Sequence, residues 1–138
     1  MVNRTDLQNL ANERIAEAKI LLDAGKWSGS YYLAGYAVEC GLKACIANLL
    51  KSEVFPEKDF SDKCYIHDLE KLVMLAGLKT ERDADAAANA NLDVNWGTVR
   101  AWRETSRYEP KTQADAQVLY DAITQDPDGV LQWIRLHW

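Results

Sequence analysis

The sequence predicts an all-α protein that forms one domain over residues 1–138. Apolar residues recur every three to four positions over residues 5–24, which places them on one face of a helix. Residues 28–50 are apolar almost all round, a pattern typical of a helix at the centre of a bundle. Strands are not expected, because there is no sustained alternation of apolar and polar residues and the single Asp-Gly pair lies at a predicted helix start.

The first half of the chain contains two long helices. Thr5 or Asp6 is expected to cap the first helix and Gly25 to end it, because short polar side chains satisfy the first amide groups and glycine tolerates the backbone turn at a helix end. The central helix follows over residues 28–50. Residues 51–65 are charged, include a proline and show no helical period, so they are predicted to form a loop.

Five shorter elements are predicted in the second half. They are residues 68–76, the alanine-rich residues 80–90, a helix that carries Trp96 and ends before Pro110, residues 112–125, and a terminal helix from Asp126 to Trp138. The alanine-rich segment has helix propensity but little bulk, which predicts a surface helix or an ordered loop. Gly77 should end the first of these elements, Thr112 should cap the fourth, and Pro127 suits the first position of the last.

Composition excludes several classes of protein. The net charge of −5 argues against a broad basic face that coats nucleic acid, although a local basic site is compatible with it. Glu39 and Lys43 interrupt the most apolar run, residues 31–50, so no membrane span is expected. The first residues are amphipathic and lack the apolar core of a secretory signal. We therefore expect a cytoplasmic protein.

Cysteine and histidine positions do not predict a metal site. Cys40, Cys45 and Cys64 show neither a CxxC pair nor ligand spacing, and we interpret them as reduced residues that pack in the core, with a reactive thiol as the alternative. His67 and the aspartate after it open a predicted helix, where the pair is most simply a cap, with a functional histidine as the alternative. His137 has no ligand-type neighbour in sequence, so no metal ligand is predicted.

One polar stripe interrupts the apolar central helix. Tyr32, Tyr36, Glu39 and Lys43 follow one another at intervals of four, three and four residues, which aligns them on one face. A Glu four residues before a Lys is in the favourable order for an ion pair. The stripe is either a self-neutralised structural pair at a bundle seam or dimer interface, or part of a functional polar site.

Three arginines have helical spacing near the end of the Trp96 helix. Arg100, Arg103 and Arg107 are separated by three and four residues, so a continuous helix would present three guanidinium groups along one side. Guanidinium groups bind phosphate through two parallel hydrogen bonds and stay charged at physiological pH. Because Glu104 lies four residues after Arg100, the alternative is a solvated face of salt bridges.

Three segments together carry a family resemblance. They are SYYLAGYAVECGLKA at residues 30–44, HDLEKLVMLAG at residues 67–77, and the run from Trp96 through VRAWRETSRYE to Glu109. In this order they resemble the HEPN domain (higher eukaryotes and prokaryotes nucleotide-binding), and the resemblance covers nearly the whole chain. It implies an up-and-down bundle of four to five main helices, commonly a homodimer. It also implies a small nucleotidyltransferase partner in a toxin–antitoxin-like pair.

Ribonucleases of this family use an arginine followed four to six residues later by a histidine. None of Arg100, Arg103 and Arg107 has a histidine at that distance, so no catalytic residue is carried over. Arg107 and Tyr108 match the Arg-Tyr that ends the corresponding helix in some members. The resemblance therefore implies a binding role for Arg107.

Three functions follow as hypotheses. The first is a non-catalytic HEPN-like module, without metal or cofactor, that binds a nucleotide, RNA or a small nucleotidyltransferase. Its candidate binding residues are Arg103, Arg107, Tyr108, Lys43, Glu39 and His67. The second is an RNA-cleaving toxin, a metal-independent endoribonuclease in which Arg107 stabilises developing charge and His67 or Glu39 transfers protons. The third is a scaffold whose polar stripe only fixes helix register.

Overall fold

The computed structural model describes residues 2–50, 62 and 64–138. The helices in these ranges are α1 (Arg4–Asp23), α2 (Trp27–Leu49), α3 (Leu69–Leu75), α4 (Lys79–Ala88), α5 (Ala90–Arg100), the 3-10 helix η1 (Glu104–Tyr108), α6 (Gln113–Thr124) and α7 (Val130–Arg135). No strand occurs in the described part of the chain, so the predicted all-α class is confirmed. The loop predicted for residues 51–65 falls mostly outside the described residues. None of the helices described is long and apolar enough to cross a bilayer.

Helix α2 lies at the centre of the bundle, as its apolar sequence predicts. Helices α1, α3, α6 and α7 and the 3-10 helix η1 all pack against it. Twelve of its 23 residues are buried, so the helix contacts neighbours on most of its circumference. This burial explains why almost every position of α2 other than the polar stripe is apolar.

Most predicted helix ends are confirmed, with one correction at the N-terminus. Gly25 and Gly77 adopt positive φ angles of 76° and 72° just after α1 and α3, which glycine tolerates without strain. Thr112 caps α6 in a reciprocal capping box with Asp115. The predicted cap of α1 at Thr5 or Asp6 is wrong, because Asn3 accepts the Asp6 amide at 2.8 Å and occupies the cap position. Local spacing alone did not separate these neighbouring polar residues.

The predicted start of the last helix at Asp126 and Pro127 is also wrong. The chain turns through a cis Asp126–Pro127 peptide bond, and α7 begins at Val130 with Gly129 as its N-cap. A Cβ atom at Gly129 would lie 2.5 Å from the Gln125 carbonyl oxygen. Only a residue without a Cβ atom fits at this close approach of the two backbone segments, and α7 begins directly after Gly129.

Two tryptophans are part of the hydrophobic core. Trp96 on α5 and Trp102 just after it are fully buried. Trp102 lies directly against Gly35 of α2, where a Cβ atom would be 2.2 Å from the indole Nε1. The absence of a side chain at Gly35 thus allows the segment between α5 and η1 to dock on the central helix.

Candidate functional site

A buried carboxylate on α2 forms the centre of a polar cluster. Glu39 is 2% exposed, and its Oε2 accepts a hydrogen bond from Lys43 Nζ at 3.2 Å. Its other oxygen, Oε1, lies 2.9 Å from Nδ1 of His67. A buried carboxylate is stable only when it is paired, and both oxygens of Glu39 have a partner. His67 is 48% exposed, so the buried carboxylate orients an imidazole that solvent can reach.

The sequence predicts that His67 and Asp68 cap a helix together, but in the structure only Asp68 is the cap. The Asp68 side chain accepts a hydrogen bond from the Lys71 amide at 3.1 Å and caps α3. His67 instead contacts Glu39 from across the bundle. When the Nδ1–H group donates a hydrogen bond to the carboxylate, Nε2 of the neutral ring carries no hydrogen and can accept a hydrogen bond or a proton.

A cavity of about 430 Å³ lies beside this cluster, between α1, α2 and residues 64–65. Apolar side chains such as Leu7, Leu10 and Ile46 line most of it, with Glu39 and Lys43 among its polar lining. Cys40 also lines the cavity, but burial and then the nearby Glu39 charge raise the pKa of its thiol to about 11. Cys40 is therefore protonated at neutral pH and is not an activated nucleophile.

Aromatic rings continue the polar stripe toward the start of α2. Tyr32 and Tyr36 stack with their ring centroids 6.0 Å apart, and Tyr32 also stacks on the indole of Trp102 at 6.1 Å. Burial raises the pKa of Tyr36. The stack links the Glu39 cluster to the segment that follows α5.

Arg107 and Tyr108 of η1 lie at the other end of this stack. The Arg107 guanidinium lies 4.8 Å from the centroid of the Tyr108 ring and 2.9 Å from Glu104. Desolvation lowers the pKa of Arg107, but hydrogen bonds with Tyr108 and Tyr32 and the charge of Glu104 raise it, and the net shift is upward. Both Arg107 and Tyr108 are exposed, so an arginine and an aromatic ring are presented to solvent together.

The predicted stripe of three arginines on one helix is wrong. Helix α5 ends at Arg100, and Arg103 has an extended backbone before η1 begins. The Arg103 side chain folds back and donates to the carbonyl oxygens of Arg100 at 2.6 Å and Trp102 at 2.9 Å. Arg103 therefore satisfies acceptors at the end of α5, whereas Arg100 lies 3.8 Å from Glu70. Of the three, Arg107 is the one whose pKa is affected by a tyrosine of α2, Tyr32.

The structure thus joins most of the predicted site residues into one continuous feature. We refer to it as the α2 strip, formed by Arg107, Tyr32, Tyr36, Glu39, Lys43 and His67. Tyr32 contributes to the raised pKa of Arg107 at one end of the strip, and His67 contacts Glu39 at the other. These two anchor positions are separated by about 10 Å along the helix axis, given the rise of about 1.5 Å per residue.

A second buried charge was not foreseen from the sequence. Arg82, in the alanine-rich helix α4, is 1% exposed. Its guanidinium donates two hydrogen bonds to Glu70 and one from Nε to Asp83 at 2.9 Å, and it lies 5.0 Å from the centroid of the Trp96 ring. The hydrogen bonds with Arg82 hold the pKa of Glu70 below its usual value. The alanine-rich segment forms a surface helix, as predicted, with Arg82 and Ala86 as its buried residues, and Arg82 connects it to α3 and α5.

The structure also brings together residues that could hold a cation. Glu81 and Asp85 on α4 and His137 after α7 each offer a ligand atom, and these atoms lie within 4.8 Å of one another. The sequence predicts no metal ligand, because His137 is more than fifty residues from either carboxylate.

None of the known protein families, curated proteins or solved structures compared with the chain matches it. The function therefore has to be inferred from its residues and their geometry.

Proposed function

We propose that this chain is a HEPN-like module that binds single-stranded RNA or a nucleotide through the α2 strip. The observation that carries the proposal is the exposed pair of Arg107 and Tyr108, held against Tyr32 at one end of the strip. An arginine supplies a permanent charge and a planar set of donors for phosphate. An exposed ring beside it supplies a surface on which a base can stack.

The charges around Arg107 favour binding by this residue over a purely structural role. Its one carboxylate partner among the described residues is Glu104, three residues earlier and 2.9 Å away, with the Arg107 and Glu104 side chains 44% and 22% exposed. Such surface pairs contribute little to stability. The guanidinium is therefore available to exchange Glu104 for a phosphate group, which carries more charge and offers more acceptor oxygens.

The length of the strip fits a short stretch of nucleic acid rather than one phosphate. The positions where Arg107 and His67 attach are about 10 Å apart along α2. Stacked nucleotides in one strand rise about 3.4 Å each, so the strip matches about three nucleotides. Lys43, at the His67 end, is a second cation of the strip and is paired with Glu39 at 3.2 Å.

Cleavage of RNA is the second candidate, and the contact between His67 and Glu39 favours it. A histidine oriented by a buried carboxylate is a common arrangement for proton transfer, and the Nδ1 to Oε1 distance is 2.9 Å. Within one chain, Arg107 and His67 are associated with Tyr32 and Glu39, which lie about 10 Å apart along α2, farther than one phosphate group spans. This function would therefore require a homodimer in which a second copy brings its own Arg107 to His67, giving a metal-independent endoribonuclease.

The partners of the module are part of the same proposal. The family resemblance supports a homodimer and a small nucleotidyltransferase partner, in a toxin–antitoxin-like pair located in the cytoplasm. The cavity of about 430 Å³ beside Glu39 supports a further contact with a ligand or partner side chain, because its lining is largely apolar with a few polar groups.

The test is a binding titration with a fluorescently labelled single-stranded RNA and with ATP, read by anisotropy, with cleavage followed on a gel from the same samples. Arg107→Ala should weaken RNA binding about tenfold and reduce the slope of log affinity against log salt by about one. Lys79→Ala is the matched control, since Lys79 is also an exposed cation paired with a carboxylate on its own helix.

The outcomes separate the two candidates. Binding that depends on Arg107, without cleavage, supports the binding module. Cleavage that is lost in both Arg107→Ala and His67→Gln supports the endoribonuclease. Binding that Arg107→Ala and Lys79→Ala weaken equally contradicts a specific role for the α2 strip.

A further inference from the structure

We infer that Glu81, Asp85 and His137 form a binding site for a divalent transition-metal ion, of which Zn²⁺ is the best chemical match. This site lies on α4 and after α7, and it involves no residue of the α2 strip. One imidazole nitrogen and two carboxylate oxygens are a ligand set that Zn²⁺ accepts, with water completing its coordination.

The distances allow one ion to be shared. The three ligand atoms lie within 4.8 Å of one another, and the His137 Nδ1 to Glu81 Oε2 distance is 3.8 Å. Ligands bound to one tetrahedral zinc ion at about 2.0–2.2 Å lie about 3.3–3.6 Å apart. Closing the remaining gap requires shifts of up to about 1.5 Å between ligand atoms. Glu81 is 56% exposed, so its side chain is free to make such a shift.

Two of the three ligands are already held in place by the same tryptophan. Trp133 Nε1 donates a hydrogen bond to Asp85 Oδ2 at 2.8 Å, which leaves the other carboxylate oxygen available. The His137 ring packs on the Trp133 indole with centroids 4.3 Å apart. Groups that orient metal ligands in this way typically raise affinity by tenfold or more.

The backbone of His137 is fixed as well. Its amide donates to the Ile134 carbonyl at 2.9 Å, and its own carbonyl accepts a hydrogen bond from the Asn48 side chain at 3.1 Å. The imidazole is 17% exposed, which leaves a path from solvent to the site. The histidine is therefore positioned before any ion arrives.

Electrostatics favours a cation at this place. Glu81 and Asp85 are four residues apart on one helix, a spacing at which like charges repel. Together the two carboxylates carry a charge of about −2, which a divalent ion neutralises. Mg²⁺ prefers a site made of oxygen ligands only, and one of these three groups is an imidazole, so the site does not match Mg²⁺.

The test is calorimetric titration of the full chain with ZnCl₂ and separately with MgCl₂, in a phosphine reductant that does not bind zinc. We expect one Zn²⁺ per chain and much weaker Mg²⁺ binding. His137→Gln, Glu81→Gln and Asp85→Asn should each weaken Zn²⁺ binding at least about tenfold. Asp23→Asn, which neutralises an exposed carboxylate of α1, is the matched control and should bind Zn²⁺ like the wild-type protein.

Circular dichroism without metal establishes that each variant is folded, and the exposed position of Glu81 makes Glu81→Gln the variant least disturbing to the fold. The inference is overturned if the wild-type protein binds no Zn²⁺ saturably, if Glu81→Gln and His137→Gln keep wild-type affinity, or if Asp23→Asn loses it. Because no RNA enters the assay, its result is independent of the proposed binding function.

Discussion

The contact between Gly35 and Trp102 allows a sharp prediction about packing. Alanine at position 35 would place a Cβ atom 2.2 Å from Nε1 and 2.3 Å from Cδ1 and Cε2 of Trp102. Ordinary contacts between such atoms are about 3.5–4.0 Å, so the indole must move by more than about 1 Å. Trp102 is fully buried, and the interior around it is close-packed. The displaced ring therefore has no space to occupy without moving its neighbours.

The magnitude follows from two opposing effects. Overpacking a core costs about 1–3 kcal/mol, and the shortness of this contact favours the upper end. Replacing glycine by alanine inside a helix returns about 1 kcal/mol. We expect Gly35→Ala to lower the free energy of unfolding by about 2 kcal/mol. For 138 residues, at an unfolding entropy of about 2.1 cal/mol/K per residue, the Tm falls by about 7 °C.

Thermal and urea denaturation measure this change, and Gly97→Ala is the matched control. Gly97 is also inside a helix, and no described atom lies within 4 Å of a Cβ atom built there. Gly97→Ala should therefore stabilise the protein by about 0.5–1 kcal/mol. In a Trp102→Leu background, Gly35→Ala should lose most of its cost. Equal stabilisation by Gly35→Ala and Gly97→Ala would refute the packing argument.

Three further predictions concern pH, capping and thiol reactivity. Because hydrogen bonds from Arg82 lower the pKa of Glu70 from 4.5, the pair stabilises the fold above about pH 4.5, and this contribution is lost as pH falls through the folded-state pKa of Glu70. Glu70→Gln should therefore reduce the loss of stability below about pH 4.5, measured as the urea midpoint at each pH. The same loss in Glu70→Gln and wild type would contradict this prediction. Thr112→Ala should cost about 1 kcal/mol in denaturation experiments by removing the α6 cap; no loss argues against the capping box. Burial raises the pKa of Cys40 to about 11 and of Cys45 to about 12, so iodoacetamide at pH 8 should alkylate these thiols only after the protein unfolds. Mass spectrometry measures the alkylation, and rapid labelling of the native protein would contradict their burial.

The elements that the sequence predicts correctly depend on local signals. The unbroken apolarity of residues 28–50 identifies the central helix, because only a helix surrounded by others can bury every face. Gly25, Gly77 and Thr112 mark helix ends through backbone freedom and side-chain capping, which operate within a few residues. The pair of Glu39 and Lys43 is likewise a local i,i+4 interaction, and the structure contains it.

The errors arise where distant segments decide the outcome. The spacing of Arg100, Arg103 and Arg107 is helical, but α5 ends at Arg100, and the next residues place Trp102 against Gly35 of α2. A helical period is informative only while the helix continues. Gly129 shows the same effect, because its approach to the backbone of residues 123 and 125 sets the start of α7.

The unforeseen charged groups have a common cause as well. Arg82 is buried because Glu70, twelve residues away, reaches it from α3, and His137 meets Glu81 only when α7 returns to α4. Such pairs leave no periodic trace in the sequence. The partnership of His67 with Glu39 belongs to the same class, since 28 residues separate them.

The central claim is that RNA binds along the α2 strip, and an NMR titration of the ¹⁵N-labelled protein with a short single-stranded RNA tests it most directly. The account predicts that the largest amide shifts lie at Tyr32, Arg107 and Tyr108, and that Arg107→Ala reduces them. Shifts confined to α4, or no shifts at RNA concentrations that saturate binding measured by anisotropy, would contradict it.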